Sequence, residues 1–413
     1  MIEQSSFHIP RPLIDLNTLP APLLTSEPGS FAYNTFKVRI PGIIDDIVAQ
    51  NAFPGPIDRA MAALKAQITD GVVEPLRGPA PDVPFWLELA EPYLGRSWLD
   101  LPWYWAEAYF YRLVLEATRY FVPGPWLGVD PYRTIKRKEW RPNAAPAAAR
   151  RVLETAPAGP RERFAHLVYS SLWGNRTDLS YNVAAQLGVS GAEPHDHANL
   201  LVDDTARVWQ YLGRLASPRL VIIHDNAGTE LMMDLLLVDF LLSQWPQATV
   251  TLHVKPQPFF VSDAMAADVM MAIDTLRQSP PPLDAVGERL RERLRSDRLL
   301  VDTHWFYATA LHYFQLPADL CARLADADLV ILKGDVNYRR LLGDAHWPTT
   351  ASFAEAVAYF PAPLVALRTL KAELIVGLNP GDAERLSAED AEWMFNGRRG
   401  VVQARLTEDG APE

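Results

Sequence analysis

Three acidic residues in this 413-residue chain stand where an α/β protein does its chemistry. Asp225-Asn226-Ala227-Gly228 follows the apolar run RLVIIH (219–224), and Lys255-Pro256 through Ser262-Asp263 closes the run ATVTLHVK (248–255). Lys333-Gly334-Asp335 ends the run ADLVILK (327–333). Each run reads as a short buried strand, and ligands of open α/β sheets bind beyond the C-terminal ends of such strands. Asp225, Asn226 and Asp263 bring hard oxygen donors suited to Mg²⁺ or Mn²⁺. Gly228 and Gly334 let the backbone turn tightly and approach a ligand. A helix starting after each turn would offer free N–H groups to an anion. Lys333, Arg339, Arg368 and Lys371 would supply cations for a phosphate. A single Asp after a strand is as a rule a helix cap. Three of them, with Asn, Lys and Arg nearby, point instead to a metal or phosphate site.

Other constellations carry less. Glu193, His195 and His197 in AEPHDHANL have the residue types of a metal cluster, but paired histidines in a polar loop are commonly solvated. Ser170-Ser171 and Asn175-Arg176 read equally as a polar pocket wall and as a capped turn. Asp234 and Asp239 lie on an apolar helix, so each is either paired in the core or set against the site. Asp234, closer in sequence to Asp225, suits the second role. Glu107 and Arg112 share an aromatic segment and are expected to form a structural ion pair, with Glu107 retained as a candidate site residue.

The elements that must position these groups are legible in part. Aromatic residues recur at helical spacing from Trp103 to Leu115, which predicts a buried helix. Residues 1–160 read as a helical lobe rich in Pro and Trp, and Pro142–Pro160, with NAAPAAAR, reads as a connector. Residues 161–405 read as alternating strands and helices, the pattern of βαβ units in a mostly parallel sheet. Asp203-Asp204 is placed to cap a helix with Val208, Tyr211, Leu212 and Leu215 on one face. ELMMDLLLVDFLLSQW after Gly228 reads as a helix that is apolar nearly all round. PLVALRTL (363–370) and AELIVGL (372–378) are further strand candidates. GERLRERLRSDRLL reads as a charged, solvated helix, and 406–413 as a frayed tail.

The whole chain narrows the function classes. Its residues are 49% hydrophobic, 10% aromatic and 22% charged, the composition of a globular protein with a sizeable core. The net charge of −11 argues against nucleic-acid binding, which needs a basic surface. It leaves room for a small anionic substrate held by local cations and a metal. Cys321 is the only cysteine, so a zinc–thiolate cluster and an intrachain disulfide are both excluded. The start carries no secretory pattern, and the longest apolar stretches are too short to span a bilayer. A cytoplasmic location with no membrane partner is the expectation, with the oligomeric state open.

Five segments in order, SLWGNRTDLS (171–180), DNAG-E (225–230), KPQPFFVSD (255–263), LKGDVNYRRLLGD (332–344) and RTLK (368–371), resemble the damage-control phosphatases. The RT-x-K segment at Arg368-Thr369-Leu370-Lys371 resembles the branch named for acidic-residue methyltransferase, as do SFAYNTFKVRIPGII (30–44) and WAEAYFYR (105–112). The resemblance implies a three-layer α/β/α sandwich with an added helical lobe. It implies that Asp225, Asn226 and Asp263 are metal ligands and act in catalysis. It implies that Asp335, Asn337, Tyr338 and Arg339 form a substrate loop, and that Lys371 binds the phosphate. Lys333, Arg368, Asn175 and Glu107 are added as further candidates. The implied activity is hydrolysis of phosphomonoesters such as fructose 1-phosphate or fructose 6-phosphate with Mn²⁺, Co²⁺ or Ni²⁺, Mg²⁺ being admitted. The EPHDHANL loop departs from the family pattern and bears on specificity.

Two other functions compete. A carboxyl methyltransferase using S-adenosylmethionine would usually carry a glycine-rich turn after its first strand, and DNAG offers a single glycine. A sugar-phosphate sensor without catalysis would bind but show no metal-dependent turnover.

Overall fold

Seven strands form one sheet in the order β1-β7-β6-β5-β2-β3-β4. In this computed structural model, residues 8–139, 144–174 and 199–407 are described. The strands are β1 (Leu200–Asp203), β2 (Arg219–Ile223), β3 (Thr249–Val254), β4 (Leu299–Thr303), β5 (Leu329–Lys333), β6 (Leu364–Thr369) and β7 (Gly400–Arg405). Neighbours pair in parallel from β6 through β4, β7 runs antiparallel to β6, and β1 runs parallel to β7. The three-layer, mostly parallel architecture expected from the sequence is present.

Alternation along the strands builds two cores. Leu220, Ile222, Leu329, Ile331, Val365 and Leu367 face one layer of helices, while Val221, Ile223, Val330, Leu332, Leu364 and Ala366 face the other. The N-terminal helices cover the second face. They include α1 (Ile40–Gln50), α2 (Gly55–Asp70) and α3 (Trp103–Ala117). The helical lobe therefore shares a continuous core with the sheet. On the first face lie α4 (Ala144–Glu154), α5 (Pro160–Trp173), α6 (Thr205–Leu212), α7 (Thr229–Gln244), α8 (Ala266–Gln278) and α9 (Leu283–Arg295).

Several local expectations are corrected. Of the NAAPAAAR run, residues 144–150 form the start of α4, because Ala145, Ala148 and Ala149 pack as one small-residue stripe against the first-face core. Residues 372–378 are not a strand. Their carbonyls at Ala372 and Leu374 accept from the Arg368 guanidinium instead of pairing in a ladder. The charged segment after Gly287 ends its helix at Arg295, and Leu299–Thr303 pairs with β3 as an edge strand. The face of α9 is not wholly solvated, since Arg289 and Arg293 both pair with Asp239 of α7. No helix among the described residues is long and apolar enough to cross a membrane.

The chain turns from β2 to β3 on one side, and β5 lies on the other side of β2. That reversal makes the C-terminal ends of β2 and β5 the topological switch point of the sheet, the place where doubly wound sheets hold ligands.

Candidate active site

The loops that leave β2 and β3 are folded onto each other. Ala227 N–H donates to Ser262 O at 2.8 Å, and Ala264 N–H donates to Asp225 O at 2.8 Å. Asn226 and Asp263 thereby pair as an isolated antiparallel bridge, and Lys255 N–H is held by Ala264 O at 2.9 Å. Phe260 and Val261 reverse the chain at φ of 42° and 65°, a left-handed conformation that β-branched residues adopt only under constraint. The constraint comes from the lobe. Phe260 packs on Tyr104 and Tyr111 of α3 with ring centroids 6.2 and 4.7 Å away.

This fold-back buries carboxylates beside one another. Burial raises the Asp225 pKa well above the usual carboxylate range, and the charges of Glu230 and Asp263 push it further, with Lys371 and Lys255 opposing. Burial also raises that of Asp263, with Lys255 opposing. Lys255 Nζ and Asp263 Oδ2 lie 3.2 Å apart, both buried, in an ion pair that gives neither atom a well-directed hydrogen bond.

Asn226 is fixed from three sides. Its amide N–H₂ donates to Asp225 Oδ2 at 2.8 Å and to Glu230 Oε2 at 2.9 Å, and its Oδ1 accepts from Ser262 Oγ at 2.5 Å. Beneath it runs a buried network. Lys333 Nζ donates to Ser171 O at 2.6 Å and Ser171 Oγ at 2.8 Å, and lies 3.0 Å from Asp234 Oδ1 and 3.3 Å from Glu230 Oε1. Asp234 also holds His224 Nδ1 at 3.0 Å. Burial opposes the Asp234 charge, yet Lys333 and His224 outweigh it and hold the carboxyl below its ordinary range. Asp234 is thus set against the site, as its position suggests, and Asp239 is the core-paired one.

Gly334 makes the closest approach. At φ of 87° it lies so near Asp225 that a Cβ built there would sit 2.0 Å from Oδ2. The glycine read as a ligand approach therefore serves the carboxylate beside it. Asp335 follows, and its Oδ1 accepts from Arg368 Nε at 2.7 Å and from Lys371 N–H at 3.1 Å. It ties the β5 loop to the RT-x-K turn. Lys371 is half-buried, and its side chain makes no hydrogen bond or ion pair among the described residues.

The rest of the expected substrate loop is engaged with protein. Asn337 donates to Lys333 O at 2.9 Å and His224 O at 3.3 Å, and accepts from Tyr313 OH at 2.8 Å. Tyr338 OH donates to Gln403 Oε1 at 2.8 Å, and the Arg368 guanidinium stacks on its ring at 4.3 Å. Arg339 pairs with Asp344 and Glu107, each at 2.7 Å, and lies 3.5 Å over the Trp103 ring. Glu107 thus pairs across the lobe–sheet boundary with Arg339, and Arg112 pairs with Asp82 at 2.7 Å, in place of the expected Glu107–Arg112 pair. Lys333 and Arg368 are likewise fully engaged in the core. Asn175, Glu193, His195 and His197, and the tail beyond residue 407, lie outside the described residues.

Two buried groups at the site escape a reading by residue type alone. Glu230 stands one helical turn past Asn226, the signal being its place in DNAG-E. Lys255 is the first residue past β3, the signal being the strand end itself.

The chain matches the family model described as the damage-control phosphatase ARMT1-like domain over residues 35–386. It is 32% identical to damage-control phosphatase ARMT1 of Danio rerio across 93% of this chain and 96% of that protein. It is also 32% identical to the Mus musculus protein of that name and 30% identical to the Homo sapiens one, across 93% of this chain and 98% of each. A DUF89 family protein from Pyrococcus horikoshii aligns with 89% of this chain and 97% of its own length, at 16% identity and a TM-score of 0.47, too distant to argue from.

Proposed function

The chain belongs to the damage-control phosphatase ARMT1-like family, and from that premise we propose that it is a metal-dependent phosphatase of small sugar phosphates. Fructose 1-phosphate and fructose 6-phosphate are the foremost substrates, and Mn²⁺, Co²⁺ or Ni²⁺ the working ions. One observation carries the proposal: Asp225 and Asp263, from the loops that follow β2 and β3, are buried beside each other at the C-terminal edge of the sheet.

The residues fit a divalent ion. Asp263 Oδ2 is sealed from solvent without a hydrogen bond, and three mutually repelling carboxylates surround Asn226. Lys255 and Lys333 pair with Asp263 and Glu230 and leave Asp225 without an ion-pair partner among the described residues, and the donors are the hard oxygens that Mg²⁺ and Mn²⁺ prefer. Asp225, Asn226 and Asp263 would hold the ion, the amide oxygen of Asn226 having a second lone pair beside the one Ser262 occupies. When bound, the ion would supply charge to phosphoryl oxygens and acidify a water.

The protein's own groups do the positioning. Lys255 holds Asp263, and Glu230, neutralised by Lys333, orients the Asn226 amide. Asp335 fixes the turn that carries Lys371, leaving that ammonium for the phosphate oxygens, where charge spreads in the transition state. Asn337, Tyr338 and Arg339 keep the substrate loop in place through their protein partners. A panel of phosphorylated metabolites, with each divalent ion in turn, tests the proposal. Hydrolysis concentrated on sugar phosphates is expected, and no phosphate release under any condition would refute it.

Lys371→Ala separates the phosphate half of the site from the metal half. Losing a hydrogen bond to a charged group costs about 1.5–3 kcal/mol, or about 10- to 150-fold. The variant should lose that factor in kcat/KM for sugar phosphates and retain metal affinity by calorimetry. Lys371→Arg should recover only part, because a planar fork does not place charge as a compact ammonium does. Unchanged kinetics would remove Lys371 from the site.

A further inference from the structure

The lobe grips the Asp263 loop at both of its ends. At one end is Phe260, held on Tyr104 and Tyr111. At the other the loop enters α8 through Met265, whose N–H donates to Asp268 Oδ2 at 2.9 Å. Lys136, in the lobe helix Arg133–Glu139, donates to that same oxygen at 3.2 Å. Met265 also pairs with Lys255 as an isolated parallel bridge, next to the Ala264 N–H that donates to Asp225 O. Asp263 lies between the two grips, three residues past Phe260 and two before Met265.

Lys136 is itself locked. It is buried, as is Asp268, and Asp130 Oδ2 stands 3.1 Å from its ammonium. Asp130 Oδ1 accepts from Tyr132 N–H at 2.7 Å, and Tyr132 O accepts from Lys136 N–H at 2.9 Å. The Tyr132 ring meets Tyr111 edge-on at 6.2 Å, and Asn51, at the end of α1, donates to Pro131 O at 2.9 Å. The ammonium thus joins a carboxylate of the lobe to a carboxylate of the helix layer across the sheet. A buried ion pair adds little net stability over apolar packing of the same volume, because desolvation offsets the attraction. Its charge-assisted hydrogen bonds instead fix geometry. What they fix here is the entry to α8.

We propose that Lys136 is a positioning residue for Asp263: through Asp268 it holds the start of α8, and with it the carboxylate set toward the proposed ion. The role rests on the metal site proposed above and makes the lobe a part of that site's support.

Calorimetric Mn²⁺ binding to chelator-stripped protein tests it, with urea unfolding of the same stripped protein alongside. Lys136→Met should weaken Mn²⁺ affinity by about 10- to 100-fold, the usual cost of removing a group that orients a metal ligand. Lys136→Arg, which keeps the charge, should recover much of the loss. Asp268→Asn retains an acceptor for Met265 N–H and drops the charge, so it should weaken Mn²⁺ binding in the same way. Adding Lys136→Met to it should cost little more, because the two act through one contact. Arg112→Met breaks a buried ion pair inside the lobe, with Asp82. It should lower the urea midpoint and leave Mn²⁺ affinity unchanged. Should Lys136→Met fail to fold, Asp268→Asn and Lys136→Arg carry the test. Wild-type affinity in a folded Lys136→Met or Asp268→Asn protein would overturn the assignment, as would an equal loss in Arg112→Met, and either result leaves the metal site standing. A wild-type protein that binds no Mn²⁺, Co²⁺ or Ni²⁺ would overturn both.

Discussion

Asp263→Ala is expected to cost activity and stability together, whereas Asp225→Asn should cost activity alone. Either change removes a carboxylate from the ligand set of the proposed ion, whose charge stabilisation is worth several kcal/mol, so turnover should fall about a thousand-fold. Their effects on folding should diverge. Asp263 is the one ion-pair partner of the buried Lys255 among the described residues. Removing it strands an ammonium in the core, and breaking a buried pair in this way costs about 3–5 kcal/mol. Asp225 is instead pressed by burial and by the like charges of Glu230 and Asp263. Its neutral isostere relieves that repulsion, so chelator-treated Asp225→Asn should unfold at or above the wild-type urea midpoint. Equal midpoints for the two variants would contradict the Lys255–Asp263 pairing.

Gly334→Ala should be nearly as damaging to catalysis without adding or removing a functional group. The new methyl would sit 2.0 Å from Asp225 Oδ2 at a backbone φ of 87°, so the carboxylate must move. A displacement of about 1 Å at a reacting site costs roughly a hundred-fold. Phosphate release should therefore fall by at least that factor, with weaker metal binding. Near-ultraviolet circular dichroism would verify that the tertiary packing survives. A folded variant with wild-type kcat/KM would show that Asp225 has no need of its present position.

The sequence exposes the carboxylates because strand ends are local features. RLVIIH, ATVTLHVK and ADLVILK each carry the apolar run of a doubly covered strand, and Asp225, Asp263 and Asp335 stand just past them. Their partners are a different matter. Arg339 is a plausible phosphate ligand by residue type, yet Glu107 reaches it from 232 positions away in sequence. No periodicity reports such a contact. Lys333 and Arg368 are hidden for the same reason, since burial of a cation depends on carboxylates and carbonyls contributed by other segments. β4 is hidden behind the charged helix before it, because Leu299–Thr303 is a short edge strand, mostly part-exposed, whose apolar run is only three residues long. Residues 372–378 have the composition of a strand, but the Arg368 guanidinium claims their carbonyls first.

Phosphate release from fructose 1-phosphate by protein stripped with a chelator, then supplemented with single divalent ions, is the most direct measurement of the central claim. The Asp225–Asn226–Asp263 site predicts that stripping abolishes turnover and that Mn²⁺, Co²⁺ or Ni²⁺ restores it. It also predicts that no ion restores turnover to Asp263→Ala. Full activity after exhaustive chelation, or metal-restored activity in that variant, would contradict it.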